Sequence, residues 1–208
     1  MSRLKFCGFK TKEDVNKAID LNIDAIGFIL YQKSKRYVNV DQLAQLTEMV
    51  PEHIARVAVV VNPSKTLLSS IVNQTAISTI QFHGNESPEF IQSFQQQYPH
   101  MICTKALPAS EDLTTQIQRY RDIVAYFVID TPSAAYGGTG ERFDWRYLDA
   151  VPNDVRILVA GGIDEIAIRE LQQSGRQIYG YDLASKIEEN GRKSREKMCA
   201  VVHAVKKG

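Results

Sequence analysis

The stretch Arg156-Ile157-Leu158-Val159-Ala160-Gly161-Gly162-Ile163-Asp164 carries the plan of the whole chain. An apolar run too short for a helix ends on two glycines, and a helix opens at the aspartate. The same succession recurs on both sides. Leu4 to Phe6 runs into Cys7-Gly8, Ala25 to Leu30 leads to a loop with Ser34 and Arg36, and Ile77 to Ile80 ends at Gln81 with His83-Gly84 just beyond. Met101-Ile102 is followed by Lys105, Ala125 to Ile129 ends on Asp130, and Ile178 to Tyr181 ends on Asp182. A residue with useful chemistry stands wherever an apolar run stops.

These runs predict strands near residues 4–7, 25–29, 57–61, 78–82, 101–105, 125–130, 156–160 and 178–181. Helical patterns lie between and after them, over 11–21, 40–49, 64–73, 87–97, 111–120, 164–174 and 191–206. Thr11 with Asp14 three residues on reads as an N-terminal cap. Leu43, Leu46, Met49 and Val50 form one apolar stripe. Short strands alternating with longer helices predict βαβ units and a parallel sheet. Eight such strands, with helical segments between and after them, fit a single-domain α/β fold of the (β/α)8 TIM-barrel type spanning residues 1–208, with tight loops. A doubly wound open sheet is the rival, but the glycine-rich signature expected after its first strand is absent; Cys7-Gly8-Phe9-Lys10-Thr11 stands there. In a parallel barrel all strand ends point to one mouth, where active sites are built.

At 208 residues, 44% hydrophobic and 24% charged, the composition is that of a globular domain with a full core. A formal charge of +1 gives no reason to expect nucleic acid or a membrane surface as partner, so attraction for anions must be local. Cys7, Cys103 and Cys199 are widely spaced, with no paired-cysteine motif for a disulfide scaffold or a zinc site. No signal-peptide core follows Met1, and no apolar stretch approaches the roughly 20 residues that span a bilayer. The expected location is cytoplasmic, as a monomer or a homodimer. The long loop over 131–143, with Gly137, Gly138 and Gly140, has the length of a functional loop, and Trp145 is expected to pack beneath it.

Cys7 at a strand end is either a small buried residue or a nucleophile or base whose thiol is activated by nearby cations. Asp130 closes an apolar strand, where partial desolvation raises a carboxyl pKa and suits a general acid; the alternative is an N-cap or loop anchor. Together they make an acid and a base on opposite sides of one mouth. Gly161-Gly162 before a helix, and the loop Asp182-Leu183-Ala184-Ser185, have the character of phosphate-binding loops on consecutive strands. Arg36 is either a solvated charge or a bidentate clamp for a carboxylate. His83 is a general base or a hydrogen-bonded structural residue. Lys105 is a pocket charge or the Schiff-base lysine of a sugar-phosphate aldolase.

Several longer stretches, read together, resemble one family. They are Lys5-Phe6-Cys7-Gly8, Asp24-Ala25-Ile26-Gly27-Phe28, Ser34-Lys35-Arg36-Tyr37-Val38, Gln81-Phe82-His83-Gly84-Asn85-Glu86, Gly137-Gly138-Thr139-Gly140 with Phe143-Asp144-Trp145, and Ala160-Gly161-Gly162-Ile163. In this order they resemble the phosphoribosylanthranilate isomerases of tryptophan biosynthesis, over essentially the whole chain. The resemblance implies a cofactor-free Amadori rearrangement of a small phosphorylated substrate. Asp130 would be the general acid and Cys7, as thiolate, the general base. Arg36 would hold the anthranilate carboxylate, Gly161, Gly162, Asp182, Ala184 and Ser185 would form the phosphate site, and Gln81 and His83 would line the pocket.

The chain departs from that family after the eighth strand. Ala184 stands where a hydroxyl is usual, Lys186 where a glycine is usual, and Ser194 where an aspartate often follows the lysine. Were the Lys186 backbone left-handed, the lysine would cost about 1 kcal/mol. A non-catalytic phosphate-binding barrel is the alternative that these departures motivate.

Overall fold

Alternate residues of a strand face opposite sides of its sheet, and here the two sides differ sharply in size and polarity. The computed structural model describes residues 2–132 and 142–206. Its eight parallel strands are β1 (Arg3–Cys7), β2 (Ala25–Ile29), β3 (Ala55–Val60), β4 (Thr79–Phe82), β5 (Ile102–Pro108), β6 (Phe127–Asp130), β7 (Ile157–Val159) and β8 (Gly180–Leu183). They pair in sequence order and close between β8 and β1, with Lys5 in register with Asp182. The barrel expected from the strand and helix pattern is therefore present, and the open sheet is excluded.

The helices are α1 (Lys12–Asn16), α2 (Val40–Thr47), α3 (Lys65–Gln74), α4 (Pro88–Gln97), α5 (Leu113–Tyr120), α6 (Glu165–Gln173) and α7 (Arg195–Lys206). Side-chain caps start most of them: Thr11, Ser64, Ser87 and Asp164 each accept a backbone N–H of the first turn, and Asn39 forms a reciprocal box with Gln42. α1 is shorter than expected because the chain tightens after Asn16 into i→i+3 turns, Ala18 N–H to Val15 and Leu21 N–H to Ala18. Between β6 and β7 a 3-10 helix, Trp145–Ala150, takes the place of a full α-helix. The Gly137-Gly138-Thr139-Gly140 stretch lies outside the described residues. Trp145 is half-buried against the main core, with the Arg142 guanidinium 5.9 Å from its ring centroid.

Phe6, Phe28, Phe82 and Phe127 point outward and form the main core with the helices. Inside the barrel lie two smaller apolar clusters, Cys7, Ala25, Val57 and Val59 on one side and Ala106, Val128, Leu158 and Ala160 on the other. Buried polar side chains share this interior: Lys5, Gln81, Thr104 and Asp182. After β8 the chain makes a 3-10 turn, Ser185–Ile187, then a two-residue-per-strand hairpin, β9 (Glu188–Glu189) and β10 (Arg192–Lys193), before α7. No helix among the described residues is long and apolar enough to cross a membrane.

Lys105 corrects an expectation. β5 runs on to Pro108, so Lys105 sits mid-strand, in register with the outward-facing Phe82 and Phe127. Its ammonium lies behind the barrel wall, 2.6 Å from the Gly84 carbonyl and 3.3 Å from Glu86 Oε2, with further bonds to the Phe82 and Ala106 carbonyls. Tyr120 O–H donates to the Glu86 carbonyl beside it. A cation tied this way, away from the mouth, is a structural brace and no Schiff-base nucleophile. Lys105→Met leaves the buried Glu86 carboxylate uncompensated and is expected to cost about 3–5 kcal/mol in urea unfolding; a loss under about 1 kcal/mol would show that Glu86 is satisfied by backbone alone.

Candidate active site

The strand ends enclose a cavity of about 370 Å³. The residues to which the family resemblance gives a catalytic or substrate-binding role all line it: Cys7 and Asp130, Arg36, Gln81 and His83, Gly161 and Gly162, and Asp182, Ala184 and Ser185. Lys105 does not.

Cys7 ends β1, with its sulfur over Gly27 of the neighbouring strand. A side-chain carbon on Gly27 would come within 2.7 Å of Cys7 Sγ and 3.2 Å of Lys5 Cε, so the missing side chain makes room for both. Below the thiol, Lys5 Nζ is 2.6 Å from Asp182 Oδ2, and both side chains are buried. Burial works against the ammonium, but Asp182 and then Cys7 outweigh it and hold Lys5 above the usual lysine value. Burial pushes the Cys7 thiol up; Lys5 pulls it down, Asp182 pushes it up, and Lys193 pulls it down. The thiol is thus a weak acid whose thiolate has cations waiting for it.

Asp130 ends β6. Its Oδ1 accepts the Thr131 N–H at 2.8 Å, and its Oδ2 lies 3.6 Å from His83 Nε2. Burial raises its pKa to about 6, against the Thr131 bond that lowers it. A carboxyl with that value still holds its proton in roughly a tenth of molecules at pH 7, far more than an ordinary aspartate. His83 is neutral: burial, then Lys105 and Lys5, bring it down to about 3. Its Nδ1 is 3.4 Å from the Gln81 amide nitrogen. It is therefore poorly suited to be a general base at neutral pH, and it borders Asp130 instead.

A glycine turn and a guanidinium flank this pair. Gly161 and Gly162 have φ of 74° and 62°, which frees backbone N–H groups to turn toward the cavity ahead of α6. Gly161 is further constrained, because a side chain there would meet Thr131 and Asp130. The turn with Ser185 and Lys186 completes that rim. Asn62 and Asn190 are the non-glycine residues with positive φ among those described. Lys186 is not left-handed, and the strain its glycine replacement suggested does not arise. Asp182 differs from expectation in its side chain: β8 extends to Leu183, so the carboxylate points into the barrel and pairs with Lys5. Ala184 packs on the inner cluster around Cys7.

Arg36 crosses over Gly8, where φ is 82° and a side chain would collide with the Arg36 Cδ. It is 5% exposed and forms a bidentate pair with Glu188. Glu188, in turn, bonds Lys193 Nζ at 2.7 Å. Burial alone would raise Glu188, but Arg36 and Lys193 hold it down at about 2. Sequence reading missed Glu188 and Lys193, which reach the site from a hairpin with no periodic or spacing signal of its own. Among the described residues no group of three or more His, Cys, Asp and Glu is arranged to hold a metal ion.

A thiol and a raised-pKa carboxyl share one barrel mouth, between a pair of positive-φ glycines and a guanidinium, and the class is a (β/α)8 barrel with ionisable groups gathered at its strand ends. Comparison with known proteins makes this particular. The family model for N-(5'phosphoribosyl)anthranilate (PRA) isomerase matches residues 4–204. The chain is 48% identical over 204 residues to the N-(5'-phosphoribosyl)anthranilate isomerase of Staphylococcus aureus, covering 98% of this chain and 97% of that one. It is similar to the crystal structure of phosphoribosyl anthranilate isomerase from Thermotoga maritima, with TM-score 0.85, 25% identity and 100% of both chains covered. A second isomerase structure, solved in complex with reduced 1-(o-carboxyphenylamino)-1-deoxyribulose 5-phosphate, matches with TM-score 0.83 and 23% identity over 100% of both chains. The chain belongs to the phosphoribosylanthranilate isomerase family.

The raised Asp130 value has a thermodynamic signature. A group whose folded pKa lies above its unfolded one makes the fold lose stability as pH rises between the two, here from about 4 to about 6. Asp130→Asn is expected to abolish this loss, gaining on wild type by roughly 3 kcal/mol across that window. Urea unfolding at a series of pH values reads it; parallel pH dependences for the two proteins would mean a well-solvated carboxylate.

Proposed function

We propose that this protein is an isomerase that converts N-(5'-phosphoribosyl)anthranilate to 1-(2-carboxyphenylamino)-1-deoxyribulose 5-phosphate, a step of tryptophan biosynthesis. The observation that supports the reading is that Cys7 and Asp130 face one cavity whose rim also carries Gly161, Gly162 and Arg36. The substrate carries two anions, a phosphate and a carboxylate, and the rearrangement needs one acid and one base. Reduced cysteines suit a cytoplasmic enzyme: Cys7, Cys103 and Cys199 are all free.

In this reading the phosphate sits on the backbone of Gly161, Gly162 and Ser185, with Lys186 adding charge. Arg36 receives the anthranilate carboxylate. Asp130 gives its proton to the furanose ring oxygen as the bond from that oxygen to C1' breaks, and the nitrogen lone pair closes a C1'–N double bond. The resulting iminium acidifies the C2' hydrogen. The Cys7 thiolate takes that proton, the C2' electrons form an enolamine, and the iminium is discharged. Tautomerisation returns a proton to C1' and leaves the ketone at C2'. The cationic iminium adds to Lys5 and Lys193 in favouring the thiolate when it is needed.

Substrate formed in the cuvette from anthranilate and phosphoribosyl pyrophosphate by a separate transferase is fluorescent, and its loss reports turnover. Cys7→Ala is expected to lower kcat by about 10²–10⁴ with little change in KM; near-full activity would remove Cys7 as base. Arg36→Ala is expected to raise KM above all, and an unchanged KM would remove Arg36 from the carboxylate site.

The acid pKa lies below the base pKa here, so kcat/KM is expected to rise with pH until Asp130 begins to ionise, near 6, and then run flat until the thiol titrates. In Asp130→Asn the residual activity should keep rising past that break. A break that survives the substitution belongs to the substrate phosphate instead, whose second ionisation is also close to 6.

A further inference from the structure

Arg36 does not meet the cavity as a free guanidinium. Its Nε donates to Glu188 Oε1 at 2.7 Å and its Nη2 donates to Glu188 Oε2 at 2.8 Å. Those bonds use two of its five N–H groups and occupy one edge of the plane. The edge formed by Nη1 and Nη2 retains a second fork, matched to another carboxylate.

Lys193 is placed to serve Glu188 and no ligand. Its Nζ donates to Cys7 O at 2.7 Å, to Ala184 O at 3.1 Å and to Glu188 Oε1 at 2.7 Å. Three acceptors use all three protons of an ammonium, so Lys193 is a cation with no donor left over. Arg36, Glu188 and Lys193 therefore sum to one positive charge: the site keeps a charge for an incoming carboxylate even though its guanidinium is already paired. The hairpin that carries Glu188 and Lys193 is itself held down, with Lys193 N–H donating to Asp14 Oδ1 at 3.2 Å and Lys17 Nζ donating to the Lys193 carbonyl at 3.2 Å. Its first residue follows directly on the Ser185–Ile187 turn of the phosphate rim.

We propose that Glu188 is a positioning residue that aims the remaining fork of Arg36 at the carboxylate of the substrate, with Lys193 anchoring Glu188 and keeping the triad cationic. The pair makes the site selective for a phosphosugar bearing an ortho-carboxylated arylamine over one bearing a plain arylamine. This rests on the isomerase reading, in which Arg36 receives that carboxylate.

The test compares two ligands by calorimetry: reduced 1-(o-carboxyphenylamino)-1-deoxyribulose 5-phosphate, and the same compound without its carboxyl group. Wild type should prefer the first. Glu188→Gln should bind the first about tenfold more weakly and the second nearly as before, the loss expected for misdirecting a charged hydrogen-bond pair. The sign is decisive. Neutralising Glu188 raises the triad from one positive charge to two, so a purely Coulombic role would tighten the carboxylated ligand. Tighter or unchanged binding therefore overturns the proposal, and so does an equal loss for both ligands, which marks general damage. Glu188→Asp keeps the charge and withdraws the reach by one methylene. It should discriminate as poorly as Glu188→Gln; discrimination equal to wild type would show that charge balance alone matters. In turnover, Glu188→Gln should raise KM more than it lowers kcat. A wild type that turns over substrate, with variants that fail these patterns, overturns the positioning role alone. A wild type that neither turns over nor distinguishes the two ligands overturns the isomerase reading, and the positioning role with it.

Discussion

The contact between Lys5 Nζ and Asp182 Oδ2 joins the first strand of the barrel to the last, inside the barrel and out of reach of water. Removing one partner of such a pair strands a buried charge, at about 3–5 kcal/mol. The seam where a barrel closes is the pairing most distant in sequence, and here charge complementarity marks its register. The same pair sits below Cys7, so the group that closes the fold also sets the field at the thiol. Lys5 favours a thiolate and Asp182 opposes it, and burial leaves the thiol above its ordinary value.

Absent side chains do as much to build the mouth as present ones. Gly27 leaves room for the Cys7 sulfur and the Lys5 stem, Gly8 for the Arg36 chain, and Gly161 for Asp130 and Thr131. Each glycine stands under or beside one of the groups assigned a role in the reaction. The cost is backbone freedom lost on folding, accepted because no other residue permits such close approach. Asp130 carries a second cost. Its burial disfavours the carboxylate, so the property that makes it an acid near neutrality also reduces the stability of the fold.

Charge is apportioned so that cations are paired without being cancelled. The net charge of the chain is only +1, and no broad field draws anions to the mouth. Two local arrangements flank the mouth instead, the positive-φ Gly161 and Gly162 on one rim and the Arg36–Glu188–Lys193 triad on the other. Lys105 shows the opposite use of a buried cation. Its donors are spent on Glu86 and on the Phe82, Gly84 and Ala106 carbonyls, and it braces the outside of the wall.

The order of strands and helices, the Thr11 cap and the gathering of Cys7, Arg36, Asp130, Gly161 and Ser185 at one mouth were all legible in the sequence. Each is a local signal: a short apolar run, a capping residue, a glycine pair, with a fold that sends all strand ends one way. Facing was harder. Lys105 and Asp182 were read as strand-end residues, but β5 and β8 each run further, and in a strand one residue decides between inside and outside. That parity put Lys105 behind the wall and the Asp182 carboxylate against Lys5. The meeting of Glu188 with Arg36 was not legible in the sequence, because it spans 152 residues of chain and depends on barrel closure bringing β8 beside β1; Lys193 joins them through Glu188. The sequence by itself determined which groups the mouth contains, since local patterns place strand ends; only the tertiary structure decided which of them touch, since those pairings are made by closure and by the side of the sheet each residue faces.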